Sequence, residues 1–374
     1  MKIGIMSMQR VCNYGSFLQA YGLKKLIESL GHEVVFVDYK PGKTITYNNN
    51  KYAYYKSLAR NSVMKIAEKM IDFLIFASEE QKYSLTFKKK YNTEYLPILG
   101  ITKKKKYNSN VEVLVIGSDE VFNCLQTNPE VGFSKELFGY NNNANKVITY
   151  AASFGNTTIE GLAKYKKKEI VASLLRKINS ISVRDKNSYE IVKKLSDVLP
   201  SENLDPVLIY DFSSEVKEID SKEKYLIVYA YRNRINTEEK KAIRSFANKH
   251  GFKVYAIGGY QDFCDRNIQG TPFEVLGYIR SAEYVITDTF HGTIFSIINN
   301  RNFITFIRKG HGLTYGNYEK LMDLLERLKL TERILYKPNN LEEKLMMPID
   351  YTDTKQIIQE ERKKTMAYLA ANLK

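Results

Sequence analysis

Cysteine, histidine and long apolar runs are scarce in this chain. Its three cysteines, Cys12, Cys124 and Cys264, lie far apart and form no CxxC pair, so neither a zinc knuckle nor a disulfide framework is expected. Cys12 stands close behind the first predicted strand, but no base neighbours it in sequence, and it reads as an unreactive thiol. No apolar run approaches the roughly 20 residues needed to cross a bilayer. The opening MKIGIMSM runs directly into a strand, without the apolar segment and small-residue cleavage site of a secretory signal. A cytoplasmic protein is therefore expected. Also missing are the GxGxxG spacing of a dinucleotide site, the GKS/T of a P-loop, zinc-finger spacing, an RNP-type aromatic motif and any acidic pair at metal spacing. Neither metal, cofactor nor nucleic acid is expected.

What the chain does have is positive charge. Against 42 Asp and Glu stand 57 Lys and Arg, a balance of +15 that attracts phosphorylated metabolites or the anionic inner face of a membrane. The densest clusters, 88–90, 103–106 and 166–168, fall on predicted helix faces or loops. Much of this charge reads as solvated lysine in a sequence also rich in Asn, Ile and Tyr. Peripheral contact with an anionic membrane stays open.

At 374 residues the chain exceeds what one core usually serves. Lys2 to Ser7 reads as a parallel strand, and the segment from Asn13 as its helix: Phe17, Leu18, Tyr21, Leu26 and Leu30 make an apolar stripe that Gly31 stops. Glu33 to Asp38 completes a right-handed βαβ unit. The connection MQRVCNYGS ends in Gly15-Ser16 at the helix start, an anion loop in outline. Residues 41–100 read as a helical insertion, with Ser62 to Phe76 one of its helices. Its tyrosines read as packing, with stacking on sugar rings the alternative. Further strands are Val111 to Ile116, Lys146 to Ala151 and Ser180 to Val183. They end in polar corners at Ser118-Asp119, Ser153 and Arg184-Asp185. In a parallel sheet these ends and Asn13 share one edge, which makes a single cleft mouth.

Leu204-Asp205-Pro206-Val207 reads as a hinge. Beyond it Tyr225 to Ala230, a helix over Thr237 to His250, Lys253 to Ile257, a helix after Pro272, and Asn302 to Ile307 repeat the alternation. The expectation is an α/β chain of two Rossmann-like, doubly wound domains facing each other across a cleft, the GT-B arrangement. Residues 1–203, with the insertion at about 41–100, form the acceptor side. Residues 204–350 form the donor side, and 351–374 a helix that crosses back. Such a fold alone names no reaction.

Within the second half, EYVITDTFHGTIFSIINN (283–300) begins as a strand, breaks at a polar corner and resumes with helical spacing. The free N–H groups of a helix start at a strand end suit an anion. His291, one of only four histidines, sits in that corner. A polar turn capped by Thr289 or Thr293 is the alternative reading.

NYGSFLQAYGL, VIGSDEVFN, ITYAASFG, ISVRD, LDPVL and above all AEYVITDTFHGTIFSIINNRNF resemble, in that order, the conserved blocks of the polysaccharide pyruvyl transferase family. The blocks run from Lys2 to about Phe306. The resemblance implies a GT-B-like fold and transfer of a pyruvyl group from phosphoenolpyruvate to hydroxyls of a cell-surface polysaccharide or glycan precursor, as a ketal. It implies that His291 meets phosphoenolpyruvate and that Arg184 binds its anionic groups. Several members carry arginine in the TDRLHG form of the last block, others Ser or Thr. This chain has Thr289 there, so an anion contact supplied there by arginine has to come from Arg308 or a lysine.

The residue chemistry fits this reading. Phosphoenolpyruvate carries about three negative charges, and a guanidinium grips a carboxylate or phosphate in bidentate fashion. Gly292 and Thr293 N–H groups are expected on the phosphate, with Thr289 beside them. His291 is expected as acid or base, and Asp288 or Asp119 as its orienter or the activator of the acceptor hydroxyl, a helix N-cap being the other reading of each. Asn13, Tyr14, Gly15 and Gln19 are assigned to the acceptor side, Gln19 equally to the surface. Ser118 and Ser153 line the corners. A sugar or lipid-linked glycan is the expected acceptor. A nucleotide-sugar glycosyltransferase of GT-B fold and a non-catalytic glycan- or membrane-associated scaffold are the alternatives.

Overall fold

The computed structural model describes residues 1–46, 78–107, 110–308 and 316–374. Residues 47–77 of the expected insertion, including the helix expected at Ser62 to Phe76, lie outside the described residues. The first half runs β1 (Lys2–Met6), α1 (Tyr14–Glu28), β2 (Glu33–Phe36), α2 (Glu79–Lys90), β3 (Val113–Asp119), β4 (Lys146–Ala152), α3 (Ile159–Lys164), α4 (Lys168–Leu175), β5 (Ser182–Val183), α5 (Lys186–Ser196), β6 (Ser201–Glu202) and α6 (Pro206–Ile209). The second half runs β7 (Tyr225–Tyr229), α7 (Thr237–His250), β8 (Lys253–Ile257), β9 (Arg266–Asn267), α8 (Pro272–Ser281), β10 (Tyr284–Thr287), α9 (Phe290–Ile298), β11 (Asn302–Phe306), α10 (Tyr318–Arg327), β12 (Ile334–Leu335), α11 (Leu341–Met346) and α12 (Thr352–Asn372).

Two parallel six-stranded sheets organise these elements, in the orders β2-β1-β3-β4-β5-β6 and β12-β11-β10-β7-β8-β9. Their strands read as unbroken apolar runs because helices cover both faces, and β3 is buried along its whole length. The fold is therefore α/β, with two Rossmann-like, doubly wound domains. Each strand order reverses once, between β1 and β3 and between β7 and β10. The crevice at the carboxyl ends beside such a reversal is where open α/β sheets take ligands. Ser7, Asp119 and the corner at 288–291 all stand at those points.

Local chemistry sets the helix starts. Asn13 caps α1 through Ser16 N–H, at 2.7 Å. Asn236 with Glu239, and Thr271 with Glu274, form capping boxes on α7 and α8. One apolar cluster joins the halves, from Ile3 and Phe17 through Val207 and Leu208 to Tyr229 and Phe295. The expected hinge is thus a packed crossing: Asp205 is 1% exposed and α6 is buried throughout. Proline there starts a short helix, and its apolar residues have α1 and α12 to pack against. On one side of the crossing, Tyr83, Lys90, Tyr14 and Tyr95 donate to the carbonyls of Ile268, Gln269 and Gly270. On the other, α12 lies against the first sheet, where Tyr368 donates to Thr149 O and Asn372 O accepts from Lys146.

Candidate active site

Arg184 leaves the end of β5 and its side chain is 3% exposed. One guanidinium nitrogen donates to Asp205 Oδ2 at 2.8 Å, another to Asp119 Oδ1 at 3.3 Å. The guanidinium lies 4.5 Å from the ring centroid of Phe290 in the other half. Burial acts to lower the Arg184 pKa, but Asp119 and Asp205 outweigh it and hold it above its ordinary value. His291, on the first turn of α9, brings Nε2 to 3.7 Å from the same Asp205 oxygen. Burial opposes ionisation of Asp205, but His291, Arg184 and the Val207 N–H outweigh it and hold the carboxyl below its usual range. An arginine from the first half and a histidine from the second thus face one buried carboxylate, the arginine hydrogen-bonded to it and His291 Nε2 without a hydrogen-bond partner among the described residues.

The neighbours of His291 explain a glycine. A methyl group at Gly15, in the first turn of α1, would overlap the imidazole at Nδ1, Cγ and Cε1. The residue assigned to the acceptor side therefore serves as the bare backbone against which His291 lies. Asn13 beside it caps α1 and also donates to Ser16 Oγ. Tyr14 is buried at the domain contact, where its hydroxyl donates to Gly270 O. Gln19 is fully buried, which excludes the surface alternative: its amide donates to Ser7 Oγ and accepts from Ser118 Oγ at 2.6 Å. Ser153 Oγ accepts from Gly155 N–H. These groups brace the corners of the first sheet.

Asp119 closes β3 with φ +80, a conformation that costs an L residue about 1–3 kcal/mol. It accepts from Ser16 Oγ, Arg184 and the Glu120 N–H. Glu120 reaches across to the second half, with Oε1 2.9 Å from Lys320 Nζ on α10. Burial acts to raise the Glu120 pKa, yet Lys320 and Arg184 bring it down to about 2.

The corner of the second sheet is organised differently from the expectation. Thr289 is the N-cap of α9: Gly292 N–H donates to Thr289 Oγ1 at 2.9 Å and Thr293 N–H to Thr289 O at 3.1 Å. The two N–H groups expected on the phosphate are thus taken within the corner. Thr293 Oγ1 donates to Thr289 O and lies 2.9 Å from Thr305 Oγ1. Asp288 is fully buried and sits 3.4 Å from Arg308 Nε, and its Oδ1 has no hydrogen-bond partner among the described residues. Burial raises its pKa, with Arg234 and Arg308 opposing. Arg308, the alternative cation, is held by both Glu239 oxygens at 3.0 and 2.9 Å. The carboxylate beside His291 is therefore Asp205, which the linear pattern presents only as part of a hinge.

A cleft at this junction is lined from the first half by Arg184, Asp185, Leu204 and Asp205, and from the second by Phe290, Lys320, Asp323, Leu324 and Arg327. Lys320, Asp323 and Arg327 follow helical steps of three and four and present one charged face of α10. The sequence reading missed them. Leu321, Leu324, Leu325 and Leu328 do announce a helix there, but its charges look like an ordinary solvated face.

A family model described as polysaccharide pyruvyl transferase matches residues 13–310. No curated protein matches the chain. Among solved structures, S. aureus MnaA with UDP is 10% identical, with 98% of this chain and 90% of that one covered at a TM-score of 0.48. A putative UDP-N-acetylglucosamine 2-epimerase from Listeria monocytogenes is 9% identical, with 100% and 91% covered and a TM-score of 0.46. The glycotransferase of kitacinnamycin is 8% identical, with 99% and 97% covered and a TM-score of 0.46.

Proposed function

The chain belongs to the polysaccharide pyruvyl transferase family, and from that premise we propose that it moves the pyruvyl group of phosphoenolpyruvate onto two hydroxyls of one sugar in a cell-surface glycan precursor. The observation that carries the reading is the convergence of Arg184 and His291, from opposite domains, on Asp205.

In this scheme the methylene carbon of phosphoenolpyruvate takes a proton and the next carbon becomes oxocarbenium-like. A sugar hydroxyl attacks that carbon and gives up its proton. The carbon–oxygen bond to phosphate breaks, and a second hydroxyl closes the ketal with loss of its own proton. One ketal and one inorganic phosphate result. Arg184 binds an anionic group of phosphoenolpyruvate, because a planar guanidinium matches a carboxylate. Asp119 and Asp205 fix its plane. His291 carries the proton to or from the reacting atoms, with Asp205 3.7 Å from its unpartnered Nε2 to stabilise the charged imidazole. The scheme calls for no metal or cofactor. The acceptor is read as a sugar or lipid-linked glycan at the cytoplasmic side. No described helix is long and apolar enough to cross a membrane; the exposed lysines of 88–89 and 103–106 are read as contacts for an anionic surface.

Incubation with phosphoenolpyruvate and a panel of free, nitrophenyl and lipid-linked sugars is expected to release phosphate. His291→Ala is expected to lower turnover at least about a hundredfold, the scale of a lost acid–base group, with a circular dichroism spectrum like the parent's. Thermal shifts with UDP- or GDP-sugars, together with none from phosphoenolpyruvate, would overturn the proposal.

A further inference from the structure

A trianionic substrate needs more cation than Arg184, whose guanidinium already meets two carboxylates. The obvious suppliers are committed elsewhere. Thr289 takes up the N–H groups of Gly292 and Thr293, and Glu239 grips Arg308 with both oxygens. Two further cations line the cleft, Lys320 and Arg327, both from α10. Arg327 donates to Glu361 on α12 at 2.7 Å, an anchor outside the cleft lining. Lys320 differs: one of its partners, the carboxylate of Glu120, belongs to the opposite domain, next to Asp119 and within reach of the Arg184 charge.

We infer that Lys320 is the phosphate-binding cation of the cleft, with the side chain of Glu120 standing where an anionic oxygen of the substrate is accepted. The inference rests on the pyruvyl-transfer reading for the identity of the substrate, though not for the chemistry of the subsite. Three features support the exchange. The Lys320 side chain is 19% exposed and that of Glu120 23%, so solvent reaches the pair. Glu120 keeps a second donor on its other oxygen, Asn123 Nδ2 at 2.8 Å, and is not stranded when Lys320 turns away. An ammonium on a flexible stem also suits exchange between oxyanions better than a fixed fork does. Because the Lys320–Glu120 pair spans the two domains, substrate would replace a tie between them with a bridge through itself.

Titration calorimetry on the full chain, with inorganic phosphate and with phosphoenolpyruvate as probes, tests this. Lys320→Gln is expected to weaken both about tenfold or more, the scale of one hydrogen bond to a charged group. KM for phosphoenolpyruvate rises correspondingly while kcat stays within a few fold. Lys320→Arg keeps most of the affinity. Glu120→Gln, which removes the internal competitor, tightens phosphate binding. Lys329→Gln, at an exposed pair with Asp353 outside the cleft, changes neither. Unchanged phosphate and phosphoenolpyruvate affinities in folded Lys320→Gln overturn the inference. Phosphate binding that depends on Lys320, with no phosphate release on any sugar, leaves the subsite standing and removes the pyruvyl-transfer reading. Turnover in Lys320→Gln at an unaltered KM does the reverse.

Discussion

Removing the carboxylate of Asp205 leaves the Arg184 guanidinium in place, almost fully buried, with the 3.3 Å contact to Asp119 as its remaining ion pair among the described residues. It also takes the acid away from His291 Nε2. Breaking one side of a buried ion pair costs about 3–5 kcal/mol. Asp205→Asn, which keeps the shape, is expected to lose about 3 kcal/mol on that scale, read as a lowered denaturant midpoint, together with most turnover. A midpoint like the parent's would show that the pair is not what holds the crossing. Gly15 acts at the same point by what it lacks. Gly15→Ala pushes a methyl group into the imidazole, and overpacking of this kind costs about 1–3 kcal/mol. Turnover is expected to fall with stability, because His291 has to move. Of these two residues, sequence reasoning singled out Gly15 for another purpose and passed over Asp205. A glycine at a helix start signals close approach without saying what approaches. An aspartate before proline looks like a turn until the fold shows its carboxylate facing inward.

At the level of elements, the start of α9 is set by one hydroxyl. Thr289 Oγ1 accepts the Gly292 N–H and lies 3.1 Å from Thr287 Oγ1. Thr289→Ala is expected to cost about 1 kcal/mol, the value of an N-cap, and Thr289→Ser to keep most of it. Thermal midpoints of the two variants check this, and equal losses from both would mean that methyl packing rather than the cap matters. The same corner shows how far patterns reach. β10 and α9 were legible because an apolar strand runs through a Thr-Asp-Thr corner into helical spacing, and α7 because Asn236 and Gly251 bracket it. The structure contains the capping arrangement at Thr289, and the cap takes up the Gly292 N–H. α10 escaped for a physical reason. Its leucines announce a helix, but nothing in Lys320, Asp323 and Arg327 says that their face meets the other domain.

Across the whole molecule, that face makes domain contact depend on pH. Asp323 reaches the start of α5, where the Lys186 N–H points at it, Asp185 and Glu202 of the first domain repel it, and Arg327 on its own helix attracts it. Burial first, then Asp185, lifts its pKa from 3.8 to about 6. Asp185 adds to the crowding with an Oδ2 that has no partner among the described residues. The folded chain therefore binds this proton more tightly than the unfolded one. Stability from this group is greatest below about pH 4, falls as pH rises from there through about 6, and stays level above. Since Asp323 is only part-buried, screening reduces the effect to the order of 1 kcal/mol. Asp323→Asn is expected to be more stable than the parent at pH 7–8 and similar to it near pH 4, so the gap between their melting temperatures opens across that window. Raising the salt concentration should narrow the gap, because the repulsion from Asp185 and Glu202 is screened. Parallel melting curves from pH 4 to 8 would place the carboxyl in ordinary solvent and remove α10 from the account of how the domains meet.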